Sequence, residues 1–173
     1  MAKAKIGVIM GSDSDLDIIM ECLKLLKLFN VPFEVEVASA HRSPKKTHEY
    51  ARSAAAKGLK IIIAVAGGSA HLAGVIASET TLPVIAIPAP STELKGIDAL
   101  FSTVQMPKGV PVATMGIGKS GAANAAILAV QILALSDSAL RQKLQNFKSE
   151  LARRVDEVSE KTRANLEKII KKI

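Results

Sequence analysis

The stretch KIIIAVAGGSAHLAG, residues 60–74, holds the reading from which the fold follows. Its first half, Lys60 to Ala66, is a run of β-branched and small apolar residues with no polar alternation. Such a run is a strand covered on both faces, as in parallel sheets with helices on either side. Gly67 and Gly68 break it, and Ala70 to Glu79 returns to helical spacing. Strand, glycine turn and helix in that order make most of a βαβ unit, whose crossover is right-handed.

The same grammar recurs on both sides of this stretch. KIGVIM (5–10) leads into a helical pattern from Asp13 to Phe29, and FEVEVA (33–38) into one from Pro44 to Lys57. PVIAIPA (83–89) and VPVATMG (110–116) read as two further strands, the second followed by a helix over 120–135. Between those two strands, residues 88–111 are rich in Pro and Gly and read as a loop folded around a short helix. There is no internal repeat, low-complexity tract or linker. The expectation is one domain over 1–173, with an α/β core over 1–135 and a C-terminal helix over 138–173.

Composition agrees. Hydrophobic residues make up 49% of the 173, but aromatics only 3%, with no Trp and one Tyr. The core is therefore aliphatic, built from Val, Ile, Leu and Ala. No apolar run reaches the roughly 18–20 residues of a membrane span, and the N-terminus lacks the form of a signal peptide. The single cysteine, Cys22, has no internal partner for a disulfide, which fits a reduced, cytoplasmic setting. The net charge of +7 is concentrated in the tail, where residues 141–173 hold ten Lys or Arg against five Asp or Glu. A single aromatic, Phe147, falls among those cations, too few to stack a run of bases, so a solvated helix face is expected and not a nucleic-acid site.

That tail carries an apolar stripe: Leu140, Leu144, Phe147, Leu151, Val155, Val158, Leu166, Ile169 and Ile173, with Thr162 filling the gap. Unbroken from about Ser138, the helix would run roughly 50 Å at 1.5 Å per residue. A stripe that outruns its own domain has to be buried on a neighbouring subunit, unless a bend folds the helix back.

In doubly wound sheets ligands bind at the carboxyl ends of the strands. Three of those ends carry small polar residues here. After the first strand comes MGSDSD (10–15), where Gly11 permits a tight turn and Ser12 or Asp13 can cap the next helix. Asp15 would repel a phosphate and suits ribose hydroxyls. After the second comes SAHRSP (39–44), where Pro44 opens a helix and Arg42 offers a fork to phosphate. His41, beside that anion, is suited to proton transfer near neutrality. After the third comes AGGSAHLAG (66–74), whose glycines let backbone N–H groups approach a ligand. His71, at the start of the following helix, reads by itself as a capping or surface histidine, and His48 as a surface one.

Two motifs are decoys. DSDLD lacks the glycine and distal glutamate of a calcium loop. ATMGIGKS (113–120) fits a relaxed phosphate loop, but Ala113 replaces the first glycine and no strand ends in an aspartate suited to magnesium.

Taken in order, GSDSD, SAHRSP and GGSAHLAG resemble the class I N5-carboxyaminoimidazole ribonucleotide mutases of purine biosynthesis. The likeness continues through GIDALFSTVQMPKGVPVATMGIGKSGAANAAILAVQILAL (96–135). It implies a three-layer flavodoxin-like α/β fold with a central parallel sheet. It also implies a homo-octamer in which long C-terminal helices pack on neighbouring subunits, without biotin, metal or ATP. By the same resemblance Ser12, Asp15 and Arg42, with Ser39 and Ala40 nearby, bind the ribonucleotide, and His41 is the general acid and base. Gly67, Gly68, Ser69, Ala70, His71 and Leu72 form the loop that holds the carboxylate and the aminoimidazole.

Two positions depart from the family pattern. Ser69 replaces a common alanine and adds a hydroxyl, and Ala73 replaces a common proline and loosens the start of a helix. Neither removes a group that the chemistry needs. The alternatives are a class II enzyme, which carboxylates aminoimidazole ribonucleotide with free carbon dioxide, and a non-catalytic nucleotide-binding module. Arg42 and His71 point to class I, because class II typically has Lys after the first histidine and lacks the second.

Overall fold

A computed structural model describes residues 3–170. Five parallel strands form one sheet: β1 (Ile6–Met10), β2 (Phe33–Val37), β3 (Ile61–Gly67), β4 (Val84–Ala89) and β5 (Ala113–Thr114). Their order is β2-β1-β3-β4-β5, the flavodoxin-like order, with the topological switch between β1 and β3. The central strands β1 and β4 are buried along their whole length, and β3 as far as Val65. Edge strand β2 is only partly buried and carries glutamates.

Six helices connect and follow the strands: α1 (Leu16–Leu28), α2 (Pro44–Lys57), α3 (Leu72–Glu79), α4 (Ile97–Val104), α5 (Gly118–Ala134) and α6 (Ser138–Ile170). Local chemistry sets their ends. Pro44 opens α2, and Gly58, at φ 98°, closes it in the left-handed region where a Cβ is penalised. Asn30, at φ 57°, closes α1, with the Val31 N–H donating to the Leu26 carbonyl in a Schellman arrangement. The core beside α2 and α3 is aliphatic, as composition implied, and includes Ile9, Ala54, Leu59, Ile62, Leu72 and Ile76.

Several sequence boundaries need correction. The fifth strand, expected over 110–116, pairs only at Ala113–Thr114; Pro111 has no N–H to give a ladder. The first helix is preceded by a separate 3-10 turn, Asp13–Asp15. Helix α3 begins at Leu72 and not at Ala70, because Ala70 adopts φ 40° and cannot extend a right-handed helix. Helix α5 begins two residues early, inside the GKS motif. A Cβ at Gly121 would collide with the Gly116 carbonyl, so the first turn of α5 packs directly on the preceding loop.

The chain divides into two compact units, Met1–Leu133 and Ala134–Ile173. In the second, the Asp137 carboxylate accepts the Leu140 N–H at 3.1 Å, and the Arg141 guanidinium donates to the Ala134 and Leu135 carbonyls. Helix α6 runs unbroken over its 33 residues, which excludes the bent alternative within the described span. Its apolar stripe lies exposed from Leu151 onward, with Val155 at 68% and Val158 at 62%. The stripe repeats every 11 residues: Leu140, Leu151 and Thr162; Leu144, Val155 and Leu166; Phe147, Val158 and Ile169. At about 3.67 residues per turn, such a stripe stays nearly straight along the helix. Ile173, which would continue it, lies outside the described residues.

Candidate active site

The carboxyl ends of β1, β2, β3 and β4 meet at one cavity of about 250 Å³. From the first strand end, Gly11, Ser12, Ser14 and Asp15 line it; from the second, Ser39, Ala40, His41 and Arg42; from the third, Ala66, Gly67, Ala70, His71 and Leu72. A second depression of about 310 Å³ shares Gly11, Ser12, Ser39 and Arg42 and adds Asp13 and Ser43. Arg42 therefore stands between two adjoining compartments, one with the histidines and one without.

The loop after β1 is closed by a capping box. The Ser12 hydroxyl accepts the Ser14 N–H at 3.4 Å, and the Asp15 carboxylate accepts the Ser12 N–H at 3.2 Å. Asp15 is only 4% exposed. Burial raises its pKa above the ordinary carboxylate value, against the opposing pull of the Ser12 N–H and the Arg42 charge. A buried carboxylate at a cavity wall is a costly acceptor, suited to hydroxyl donors.

The loop after β2 is held by its own serines. Ser43 Oγ accepts the Ser39 N–H at 2.9 Å and donates to the Ser39 carbonyl at 3.2 Å; Ser39 Oγ accepts the Arg42 N–H at 3.2 Å. This network leaves Arg42 reaching back across the cavity floor, where its guanidinium donates to the Gly11 carbonyl at 2.9 Å. The contact ties the first two strand ends together.

The glycine loop carries backbone strain. Gly68 at φ 60° and Ala70 at φ 40° both lie in the left-handed region, and the second costs about 1–2 kcal/mol for a residue with a Cβ. Gly67 is pinned from the other side, since a Cβ there would collide with the Ser91 side chain. This path delivers His71 to the cavity. His71 Nδ1 lies 2.7 Å from His41 Nε2, with ring centroids 4.8 Å apart and planes inclined by 76°.

Of the residues singled out from sequence, ten line the cavity together. Gly68 and Ser69 belong to the same loop without lining it, and Ser69 is exposed. His71 is no isolated cap. The reading of His48 as a surface histidine is incomplete, since its Nδ1 lies 2.7 Å from a Glu79 carboxylate oxygen, beside an Arg52 contact to the same group. Ser91 was missed: it lies two residues past β4, and only the strand order brings that end against β3. In the ATMGIGKS motif, the Lys119 ammonium pairs with Asp17 at 2.8 Å.

Comparison with known proteins agrees with this geometry. The family model described as AIR carboxylase matches residues 5–154. An N5-carboxyaminoimidazole ribonucleotide mutase of Haemophilus influenzae is 53% identical over 84% of this chain and 88% of its own. That of Bacillus subtilis is 50% identical over 90% of this chain and 96% of its own. The crystal structure of Treponema denticola PurE superposes with a TM-score of 0.80 at 27% identity, covering 88% of this chain and 94% of that one. With the model matched through the strands, the cavity and the first half of α6, this chain belongs to the AIR carboxylase family.

Proposed function

We propose that this protein converts N5-carboxyaminoimidazole ribonucleotide to 4-carboxyaminoimidazole ribonucleotide, moving a carboxylate from the exocyclic nitrogen to a ring carbon in purine biosynthesis. Relatives about half identical over most of both chains carry the mutase name. The observation that carries the reading here is the meeting of His41 and Arg42 with the glycine loop at one cavity.

Chemistry suits these residues. A carbamate on nitrogen is labile, and its loss of carbon dioxide leaves an electron-rich ring whose carbon is nucleophilic. Arg42, with Ser12 and Asp15, holds the phosphate and ribose, so the ring cannot turn away while the bond is broken. In this reading the compartment that adds Asp13 and Ser43 takes the ribose phosphate end, and the histidine compartment takes the aminoimidazole. The loop over 67–72 retains carbon dioxide and excludes water. His41 gives a proton to the exocyclic nitrogen as carbon dioxide leaves, then removes one from the ring carbon after recapture. No proton or electron is gained or lost overall.

Exposed apolar faces support an oligomeric assembly in this reading. On α4, Ile97, Phe101 and Val104 are exposed, and on α6 the stripe from Leu151 to Ile169. Both faces suit a homo-octamer in which α6 packs on neighbouring subunits. Among the described residues no helix is long and apolar enough to cross a membrane, and the one cysteine is buried, with its thiol pushed up to about 12 by desolvation. These fit a cytoplasmic enzyme. Truncation after Ser138 should lower the assembly's sedimentation coefficient to that of smaller species; an unchanged octamer would remove α6 from the interface.

The reaction is tested by incubating the protein with N5-carboxyaminoimidazole ribonucleotide, in parallel with aminoimidazole ribonucleotide plus bicarbonate. Efficient consumption of the first at low bicarbonate is expected. Turnover only at high bicarbonate would mark a class II-type carboxylase, and no turnover of either would mark a binding module.

A further inference from the structure

Ser91 is the one residue of the cavity wall that comes from beyond β4, and no step of the proposed reaction uses it. Its backbone is set by a three-residue turn. The Ser91 N–H donates to the Ala89 carbonyl at 3.0 Å, across Pro90, whose ring fixes φ at the centre of the turn. The side chain is set from the other side. A Cβ built on Gly67 would lie 1.7 Å from Ser91 Oγ, so the hydroxyl occupies the space that a side chain at 67 would fill. The next residue makes a contrast. The Thr92 hydroxyl donates to the Asp98 carboxylate at 2.7 Å and accepts the Leu94 N–H at 3.2 Å. Ser91 Oγ has no hydrogen-bond partner among the described residues.

We propose that Ser91 is a further substrate-binding residue, whose hydroxyl donates to an oxygen of the migrating carboxylate. This rests on the mutase reading, in which the adjoining compartment, to which Ser91 does not belong, takes the ribose phosphate. Ser91 then faces the aminoimidazole end, against the glycine loop. The chemistry there calls for a neutral donor. The carboxylate leaves nitrogen as uncharged carbon dioxide and becomes an anion again on the ring carbon. A fixed cation would stabilise the carbamate more than the uncharged intermediate and so raise the barrier to release. A hydroxyl hydrogen turns about the Cβ–Oγ bond. One donor can therefore aim at the carboxylate oxygen in both of its positions while the serine stays fixed over Gly67. Ser91 makes and breaks no covalent bond and gives up no proton.

The test compares two nucleotides that differ only in the carboxylate. Calorimetry would follow aminoimidazole ribonucleotide and 4-carboxyaminoimidazole ribonucleotide binding to the wild type, Ser91→Ala and Ser91→Thr. Ser91→Ala should weaken the carboxylated nucleotide by about tenfold or more, as expected for a lost hydrogen bond to a charged group. It should leave the uncarboxylated one unchanged. Because the hydroxyl has no partner in the described protein, the Tm should not move. Ser91→Thr keeps the hydroxyl and should retain the wild-type ratio of the two affinities. Equal weakening of both nucleotides in Ser91→Ala would make Ser91 a packing residue of the glycine loop, and no weakening of either would leave its hydroxyl outside the site. Each result overturns the proposal. Turnover supplies a second readout. From N5-carboxyaminoimidazole ribonucleotide, Ser91→Ala should release a larger share as free aminoimidazole ribonucleotide than the wild type does, and an unchanged share overturns the proposal. A wild type that works only at high bicarbonate, with the selective loss still present in Ser91→Ala, would instead overturn the mutase reading alone.

Discussion

Two histidine contacts join the α2 side of the molecule to the α3 side, and their differences are instructive. At the cavity, ahead of the two helices, His41 meets His71; on the helices themselves His48 meets Glu79. Both nitrogen-to-partner distances are 2.7 Å. In the second pair the partner is a fixed anion that also accepts from Arg52, so proton, charge and geometry have one arrangement. In the first the partner is another imidazole, and the proton between them has two. A contact that serves only to hold helices together gains from a permanent charge. Under the proposed function, His41 takes a proton and returns it within one turnover, which calls for a partner that does not trap it.

Substitutions can break this contrast, beginning with the greatest effect. His41→Asn should lower turnover by about 10²–10⁴-fold, as expected for a lost general acid and base, while ribonucleotide binding, read by calorimetry, stays within a few-fold. The parallel His48→Asn should leave turnover unchanged and lower only the Tm. Arg42→Lys keeps the charge but loses the fork, one N–H of which donates to the Gly11 carbonyl. It should raise KM by about tenfold or more, with a smaller change in kcat.

Asp15→Asn should act in opposite directions on binding and stability. Because burial raises the Asp15 pKa above its ordinary 3.8, the protonated form favours the fold, and stability declines as pH rises from that value through the folded one. Asparagine removes the penalty, so the Tm at pH 7 should rise while substrate KM worsens. Glu79 has the reverse sign. Arg52 first, then His48, hold its pKa below the ordinary 4.5. Its pairing therefore stabilises the fold above about that pH and is lost as pH falls through the folded value. A Glu79→Gln variant should show a smaller drop in Tm between neutral and acid pH than the wild type, and because its partners Arg52 and His48 are exposed the difference should be slight.

Much of this was legible in the sequence, for identifiable reasons. The bounds of α2 could be read because Pro44 and Gly58 punctuate it, and β3 because an unbroken aliphatic run has no amphipathic alternative of that length. The start of α3 could not, since nothing in the composition of GGSAH marks Ala70 as left-handed; the constraint comes from the loop's path between Ser91 and the cavity. Residues on three strand ends were readable as site candidates one end at a time. Their mutual distances were not, because a parallel sheet's strand order comes from packing. For the same reason His71 looked like a cap until β2 and β3 stood on either side of β1, and Ser91 was passed over. The tail was readable in periodicity, and its unbroken course in the structure supports an outside partner for its stripe.

The central claim is that carbon dioxide is released and recaptured without leaving a closed site. It is tested most directly by following N5-carboxyaminoimidazole ribonucleotide labelled with carbon-13 in its carboxylate, in the presence of excess unlabelled bicarbonate. The account predicts that the label is found almost undiluted in the ring-carbon carboxylate of the product. Dilution of the label to the level of the solution bicarbonate would contradict it.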